Sequence, residues 1–245
     1  MSVTEQTPSL YLSLPYPCSY LPEQRATTLF IDPHHRVSRA LFDEYTRRGF
    51  RRSGDLVYRP HCQHCQACVS VRVAARRFRP NRSQRRVWRR NQDLVVVERE
   101  AGFQREHFEL YLRYQAGRHP GSSMNNPSPG LYADFLLSEF ADTRFVEFRR
   151  PDGGRRLLAV AVMDRLSDGL SAVYTFYDPR ARRRGLGTFA ILWEIDAARR
   201  AGLDWVYLGY WIAGCDKMDY KVRFRPLERY RDGRWTPLPE AAGRD

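Results

Sequence analysis

Two lysines, Lys217 and Lys221, stand four residues apart near the C-terminus, and every other one of the 41 strongly basic residues of this chain is an arginine. They lie in the segment YLGYWIAGCDKMDYKVR, residues 207–223. A helix there would set both ammonium groups on one face, with Tyr220 between them. Like charges at that spacing repel, so either an anion or carboxylate sits over them or the face is solvated. Tyr207, Tyr210, Trp211 and Tyr220 supply aromatic surface to wall a pocket.

Three further groups have types and spacing that suit chemistry. The first is Arg182-Arg183-Arg184-Gly185-Leu186-Gly187. Glycines let backbone amides approach a ligand, and a helix starting there offers unpaired amides and its dipole to an anion. An ordinary turn is the plainer reading. The pattern resembles the R-x-x-G-x-G/A loop with which GNAT-type acyltransferases hold the pyrophosphate of acyl-CoA. The second is Cys62-x-x-Cys65-x-x-Cys68, with His61 and His64 alongside and Cys18 upstream. Thiolates so spaced can share a metal such as zinc, Cys18 or a histidine completing four ligands. Buried or redox-sensitive free thiols are the alternative. The third is RRFRPNRSQRRVWRR, residues 76–90, in which eight of fifteen residues are arginine. With Arg86 and Arg90 on one helical face and Trp88 among them, it suits a phosphate backbone and an unpaired base. Cys215 has no histidine near it in sequence to activate its thiol and reads as pocket lining.

These groups need elements to hold them. Five prolines between Pro8 and Pro33 make residues 1–33 an irregular arm. Apolar spacing predicts helices over 34–48, from a Ser83 cap onward, and over 103–115, 131–140 and 188–200. Strands are expected at 55–59, 69–73, 93–98, 144–149, 157–164, 170–177 and 204–208, the last parallel to its predecessor. The stretch 157–164 lacks polar alternation, as a strand covered on both faces does. A hairpin is expected over 227–236, a tight turn at 151–154, and a long loop at 117–130 of the kind that is often functional.

The chain has 245 residues, 42% of them hydrophobic and 13% aromatic, enough for one large domain or two small ones. Its net charge of +13 suits a polyanionic partner and argues against an enzyme of a small neutral substrate. Arginine's fork favours phosphate. The longest apolar run, Leu157 to Met163, is far too short for a membrane span, and no signal-peptide pattern opens the chain. Five cysteines, three of them bunched, argue against a secreted disulfide framework, so the cytosol is expected.

The motifs YTFYDP (174–179), GLGTFAILWEI (185–195) and LGYWIAGCDKMDYK (208–221) resemble the arginyl-tRNA–protein transferase family. So do PCSYLP (17–22), RRGFRRSGDLVYRPHCQHCQACVSVRV (47–73) and FRPNRSQRRVWRRN (78–91), and the order is kept from about Pro17 to about Tyr230. The compact bacterial branch is the nearer match. The resemblance implies an α/β (α+β) fold with a GNAT-like acyltransferase core at 101–240 and a cysteine-containing N-terminal region at 1–100. It implies transfer of an amino acid from aminoacyl-tRNA to a protein's N-terminal amine, a mark for N-degron degradation. The branch implies leucyl-tRNA as donor and proteins with N-terminal Asp or Glu as acceptors, with no membrane, no required cofactor and a monomer expected. Eukaryotic relatives tie a C-x-x-C and a downstream Cys pair to an iron–sulfur cluster. Here Cys18 is kept, but Leu21 stands where its partner would be, and Cys65 in its C-x-x-C-x-x-C setting replaces the pair. A zinc or iron–sulfur site would need a changed set, Cys18, Cys62, Cys65 and Cys68.

On residue type and placement, Asp178 or Glu194 would accept the amine's proton, and Tyr174 or Tyr220 would donate to the oxyanion. Lys217 or Lys221, with Arg72, would bind the acceptor's acidic side chain. Arg182, Arg184, Gly185 and Gly187 would meet the phosphates of the tRNA 3′ end, and Arg86 and Arg90 more of the tRNA. Two rivals remain, an acyl-CoA-dependent GNAT N-acetyltransferase and a non-catalytic RNA-binding module with a zinc knuckle.

Overall fold

The computed structural model describes residues 7–118, 127–151 and 154–239. The N-terminal arm departs from expectation. It forms β1 (Leu10–Leu12), β2 (Tyr16–Pro17), β3 (Arg25–Ala26) and β4 (Thr28–Ile31). Proline forbids helix interiors but is tolerated in short edge strands and between them, so five prolines broke up helix without excluding sheet. Ser38 caps α1 (Arg39–Arg47), which leads to β5 (Arg51–Ser53) and β6 (Leu56–Pro60). β1, β4, β6 and β5 make a small sheet in that order, packed with α1 around Phe42, Tyr45, Phe50 and Val57.

Next come β7 (Val69–Ala74), α2 (Arg82–Arg90) and β8 (Val95–Glu100). The cap of α2 is Asn81 in a reciprocal capping box with Gln84, not Ser83. α3 (Arg105–Arg118) and α4 (Pro129–Leu136) follow, then β9 (Asp142–Arg149), β10 (Leu157–Arg165) and β11 (Gly169–Tyr177). The chain closes with α5 (Leu186–Arg200), β12 (Trp205–Trp211), β13 (Leu227–Arg231) and β14 (Arg234–Pro237). Most of the expected loop 117–130, and part of the turn at 151–154, lie outside the described residues.

Eight strands form one large sheet in the order β14-β13-β7-β12-β11-β10-β9-β8. Every pair is antiparallel except β11 with β12, which α5 joins as a crossover. β10 is buried over all but its last residue, because α5 and α2 cover one face and α3 and α4 the other. This is an α/β core, a large mixed sheet covered by helices on both faces, as the family resemblance implied. The division expected at residue 100 does not coincide with the division between the sheets. β7 supplies a central strand of the large sheet, since its alternating Val71 and Val73 fit only a covered face.

The small sheet is locked to the large one by a buried ion pair. Arg52 donates from Nε and Nη2 to Asp164 on β10, each at 2.7 Å, and from Nη2 to Thr143 at 2.9 Å. Both charged side chains are essentially inaccessible.

Candidate active site

β11 and β12 pair only over Gly169–Ser171 and Trp205–Tyr207. Beyond that each strand carries an extra residue against its antiparallel neighbour, Val173 in β11 and Leu208 in β12. Bulges bend a strand and release backbone groups from the ladder, and the two strands part here. Arg51, from β5, enters the gap. Its Nη2 donates to the carbonyls of Ala172 at 2.5 Å and Val173 at 3.1 Å, and its Nη1 to that of Leu208 at 3.5 Å. Gly209, at φ 73°, makes the room, since a Cβ there would lie 1.6 Å from Nη1.

Glu194, on the buried face of α5, is 1% exposed, and neither carboxylate oxygen has a hydrogen-bond partner among the described residues. Burial pushes its carboxyl up to about 8, and the charge of Arg51 opposes the rise. Near neutrality it therefore holds a proton rather than accepting one. The lysines correct the expectation of a shared face. β12 runs on to Trp211, a turn follows, and only Asp219–Arg223 forms a short 3-10 helix. Lys217 is exposed, while Lys221 is 3% exposed and donates to the carbonyl of Tyr210. Burial, then Arg51, lower the Lys221 ammonium to about 7. Tyr220, 41% exposed, lies within electrostatic reach of Arg51 and Glu194. Tyr174 accepts from Gln115 at 3.2 Å and packs against Phe135, Tyr111 and Tyr114.

Asp178 is corrected as a proton acceptor. Burial would raise its pKa, but Arg180 and Arg156 outweigh it and hold the carboxyl at about 2, while its oxygen caps the turn at Arg180. Arg72 is corrected as an acceptor-binding residue. Its guanidinium is paired with Glu228 at 2.8 Å and sandwiched between Trp205 and Trp235, 3.5 and 4.3 Å from the ring centres. Side chains so engaged have no fork left for a ligand.

At Tyr210 of β12 lies a cavity of about 360 Å³ whose lining includes Arg48, Arg59, Cys62, Cys65, Arg231 and Asp232. All five cysteines meet near it, since Cys18, Cys62, Cys65 and Cys215 all act on Cys68. Burial first, then these neighbours, push the Cys68 thiol up to about 12. Among the described residues no group of three or more His, Cys, Asp or Glu is arranged to hold a metal ion. Cys62 points its thiol at the carbonyl of Thr27. The set Cys18, Cys62, Cys65 and Cys68 is thus gathered in one place.

On the other side, the 3-10 turn Pro179–Arg184 and left-handed Gly185, at φ 66°, deliver the start of α5, as the arginine–glycine spacing predicted. Gly187 is the second residue of that helix. Arg182, Arg183, Arg86 and Arg90 are exposed there, Arg90 donating to the carbonyl of Arg183. Arg184 is corrected as a phosphate ligand, because both its terminal nitrogens bind Asp93 at 2.8 Å.

Residues 16–86 match the profile of the arginine-tRNA-protein transferase N terminus, and residues 106–231 that of its C terminus. The chain belongs to this family. Among curated relatives, the aspartate/glutamate leucyltransferase of Nitrosococcus oceani is 53% identical over 94% of this chain and 96% of its own length. That of Pseudomonas fluorescens (strain Pf0-1) is 50% identical over 93% and 96%. The solved structure of L-PGS from Bacillus licheniformis is only loosely similar, with a TM-score of 0.49 and 14% identity over 69% of this chain and 62% of that one. As a member of the family the chain is an aminoacyltransferase, and among the described residues no helix is long and apolar enough to cross a membrane. The family motif RRGFRRSG contains Arg48, Arg51 and Arg52, none of which sequence spacing singled out. Alternation along β5, which sends successive side chains to opposite faces, was the signal available.

Proposed function

We propose that the chain moves leucine from leucyl-tRNA to the N-terminal amine of proteins beginning with Asp or Glu, the marking step of an N-degron pathway, as a cytosolic monomer. One observation carries the reading: an arginine-bearing helix start meets β11 at Tyr177 and an arginine-lined cavity meets β12 at Tyr210, so each of the two parted strands has one of them beside it. The relatives' names agree with it. The donor's terminal phosphates lie across Arg182, Arg183, Arg86, Arg90 and the amide of Gly187, that of Gly185 being taken by the carbonyl of Arg182. The acceptor's acidic side chain enters the cavity beside Arg59, since Arg48 and Arg231 already have carboxylate partners in Glu44 and Asp232.

Ester and amine meet between β11 and β12. The α-ammonium, with a pKa of about 7.7–8.0, loses a proton readily. The neutral nitrogen attacks the ester carbonyl, the new C–N bond forms, the C–O bond to the ribose breaks, and the proton that the nitrogen gives up as it becomes an amide goes to the ribose oxygen. No covalent enzyme intermediate is needed, and holding the reactants in line supplies much of the rate. Tyr174 and Tyr220 are the phenols available to the developing oxyanion.

The test mixes the protein with an Asp-starting peptide and either labelled leucyl-tRNA or acetyl-CoA. Leucyl peptide is expected. Acetyl peptide would favour the N-acetyltransferase reading, and no transfer the RNA-binding one. Arg59→Met is expected to raise KM for the Asp-starting peptide by roughly tenfold or more, the scale of one charge-assisted contact. An unchanged KM removes Arg59 from acceptor binding.

A further inference from the structure

The gap between β11 and β12 is spanned by one side chain from another sheet. The carbonyls Arg51 binds, those of Ala172, Val173 and Leu208, are at the two bulges, so a single planar fork bridges both strands. A lysine at position 51 has a point charge and no fork, and cannot reproduce that bridge. Three donors are used. Nε–H and one N–H on Nη1 have no hydrogen bond among the described residues. Gly209 is left-handed and lacks the Cβ that would collide with the guanidinium.

The charge of Arg51 also reaches groups on four elements around the gap. It acts on Glu194 of α5, Tyr210 of β12, Tyr220 and Lys221 of the 3-10 turn, and Tyr20 of the arm. Tyr58, Arg59, Cys68 and Cys215 are the other titratable or charged groups acting there.

We propose that Arg51 is a positioning residue of the transfer centre: it sets the opening between the two bulged strands and fixes a positive charge where ester and amine meet. The proposal rests on the aminoacyl-transfer reading above. Its electrostatic half has a definite sign. Removing a cation favours the protonated form of a carboxyl, a phenol and an ammonium alike. Any limb of the pH profile set by these groups therefore moves to higher pH when the charge at position 51 is lost, and stays when it is kept.

The experiment measures kcat against pH at saturating leucyl-tRNA and Asp-starting peptide, where the limbs belong to the bound complex. Arg51→Lys keeps the charge and loses the fork, and Arg51→Met loses both. Both are expected to lower kcat by about tenfold to a thousandfold, with each KM within about threefold, since the defect lies in alignment. Arg51→Met also moves a limb up by about half a pH unit or more, whereas Arg51→Lys does not. Gly209→Ala displaces the fork from a chain that retains Arg51, is expected to lower kcat likewise, and decides the question if Arg51→Met fails to fold. A lowered kcat with an unmoved limb in Arg51→Met, or Gly209→Ala at the wild-type rate, overturns the proposal. Wild-type protein run alongside separates the two readings. Its failure to make leucyl peptide refutes the donor and acceptor assignment, while active wild type with unaffected variants refutes only the role of Arg51.

Discussion

Glu194 and Asp178 are both carboxylic acids with the same expected role, and burial among different neighbours has driven them apart. Asp178 sits between two guanidinium groups and stays ionised; Glu194 has no hydrogen-bonding partner among the described residues and stays protonated to about pH 8. Their effects on stability have opposite signs. The folded pKa of Glu194 is raised, so its contribution is full below the unfolded value near 4.5 and is lost as pH climbs through about 8. Each pH unit between the folded and unfolded values is worth roughly 1.4 kcal/mol. Glu194→Gln should therefore flatten the fall in stability between pH 5 and pH 8, read by urea unfolding across that range. The folded pKa of Asp178 is depressed, so its contribution is present above the unfolded value of 3.8 and lost as pH falls through about 2. Asp178→Asn should cost about 1–3 kcal/mol at neutral pH, because three charged hydrogen bonds, two from Arg180 and one from Arg156, are weakened. An unaltered midpoint would show that Arg180 and Arg156 contribute nothing there.

At the level of elements, adjacent arginines on β5 have different tasks because a strand sends neighbours to opposite faces. Arg51 goes to the parted strands, and Arg52 goes inward to Asp164. Arg52→Met leaves Asp164 buried without its ion-pair partner and should destabilise the protein by about 3–5 kcal/mol in denaturant unfolding. A double variant, Arg52→Met with Asp164→Leu, should recover much of that loss, since the uncompensated charge causes it. Most elements were legible from periodicity alone. The 157–164 stretch read as a doubly covered strand and is one. Residues 207–223 did not reveal themselves. Apolar and aromatic residues that alternate along a strand also recur at helical spacing over a short window, and the positive φ of Gly209 and Gly214 breaks the helix without a sequence signal. The arm misled for the converse reason, because proline excludes helix and leaves edge sheet open.

For the molecule as a whole, part of the basic excess behind the charge of +13 lies where α2 and the turn before α5 meet. Arg82, Arg85, Arg86, Arg89 and Arg90 are exposed on α2, and Arg182 and Arg183 face out beside them. Replacing Arg85, Arg86 and Arg89 by Ala should weaken leucyl-tRNA binding and lower the slope of log K against log salt by about 0.7–0.9 for each phosphate that is no longer neutralised. Binding measured at several salt concentrations checks this, and an unchanged slope moves the tRNA to another face.

Residue order alone determined the chain's own basic excess, the arginine–glycine helix start and the order of most strands and helices. These follow from composition and local periodicity, which a linear chain carries in full. Which charged groups remain available was decided only on folding. Arg72, Arg184 and Asp178 had the right types, yet each met a counter-charge brought from elsewhere in the chain, from Glu228, Asp93 and Arg156. Lys221 lost its solvent and Glu194 its partners. Arg51 acquired its place because two bulges far apart in sequence turned their carbonyls toward one gap. Spacing along a chain reports neither burial nor distant counter-charges, and those two quantities settle what an ionisable side chain can do.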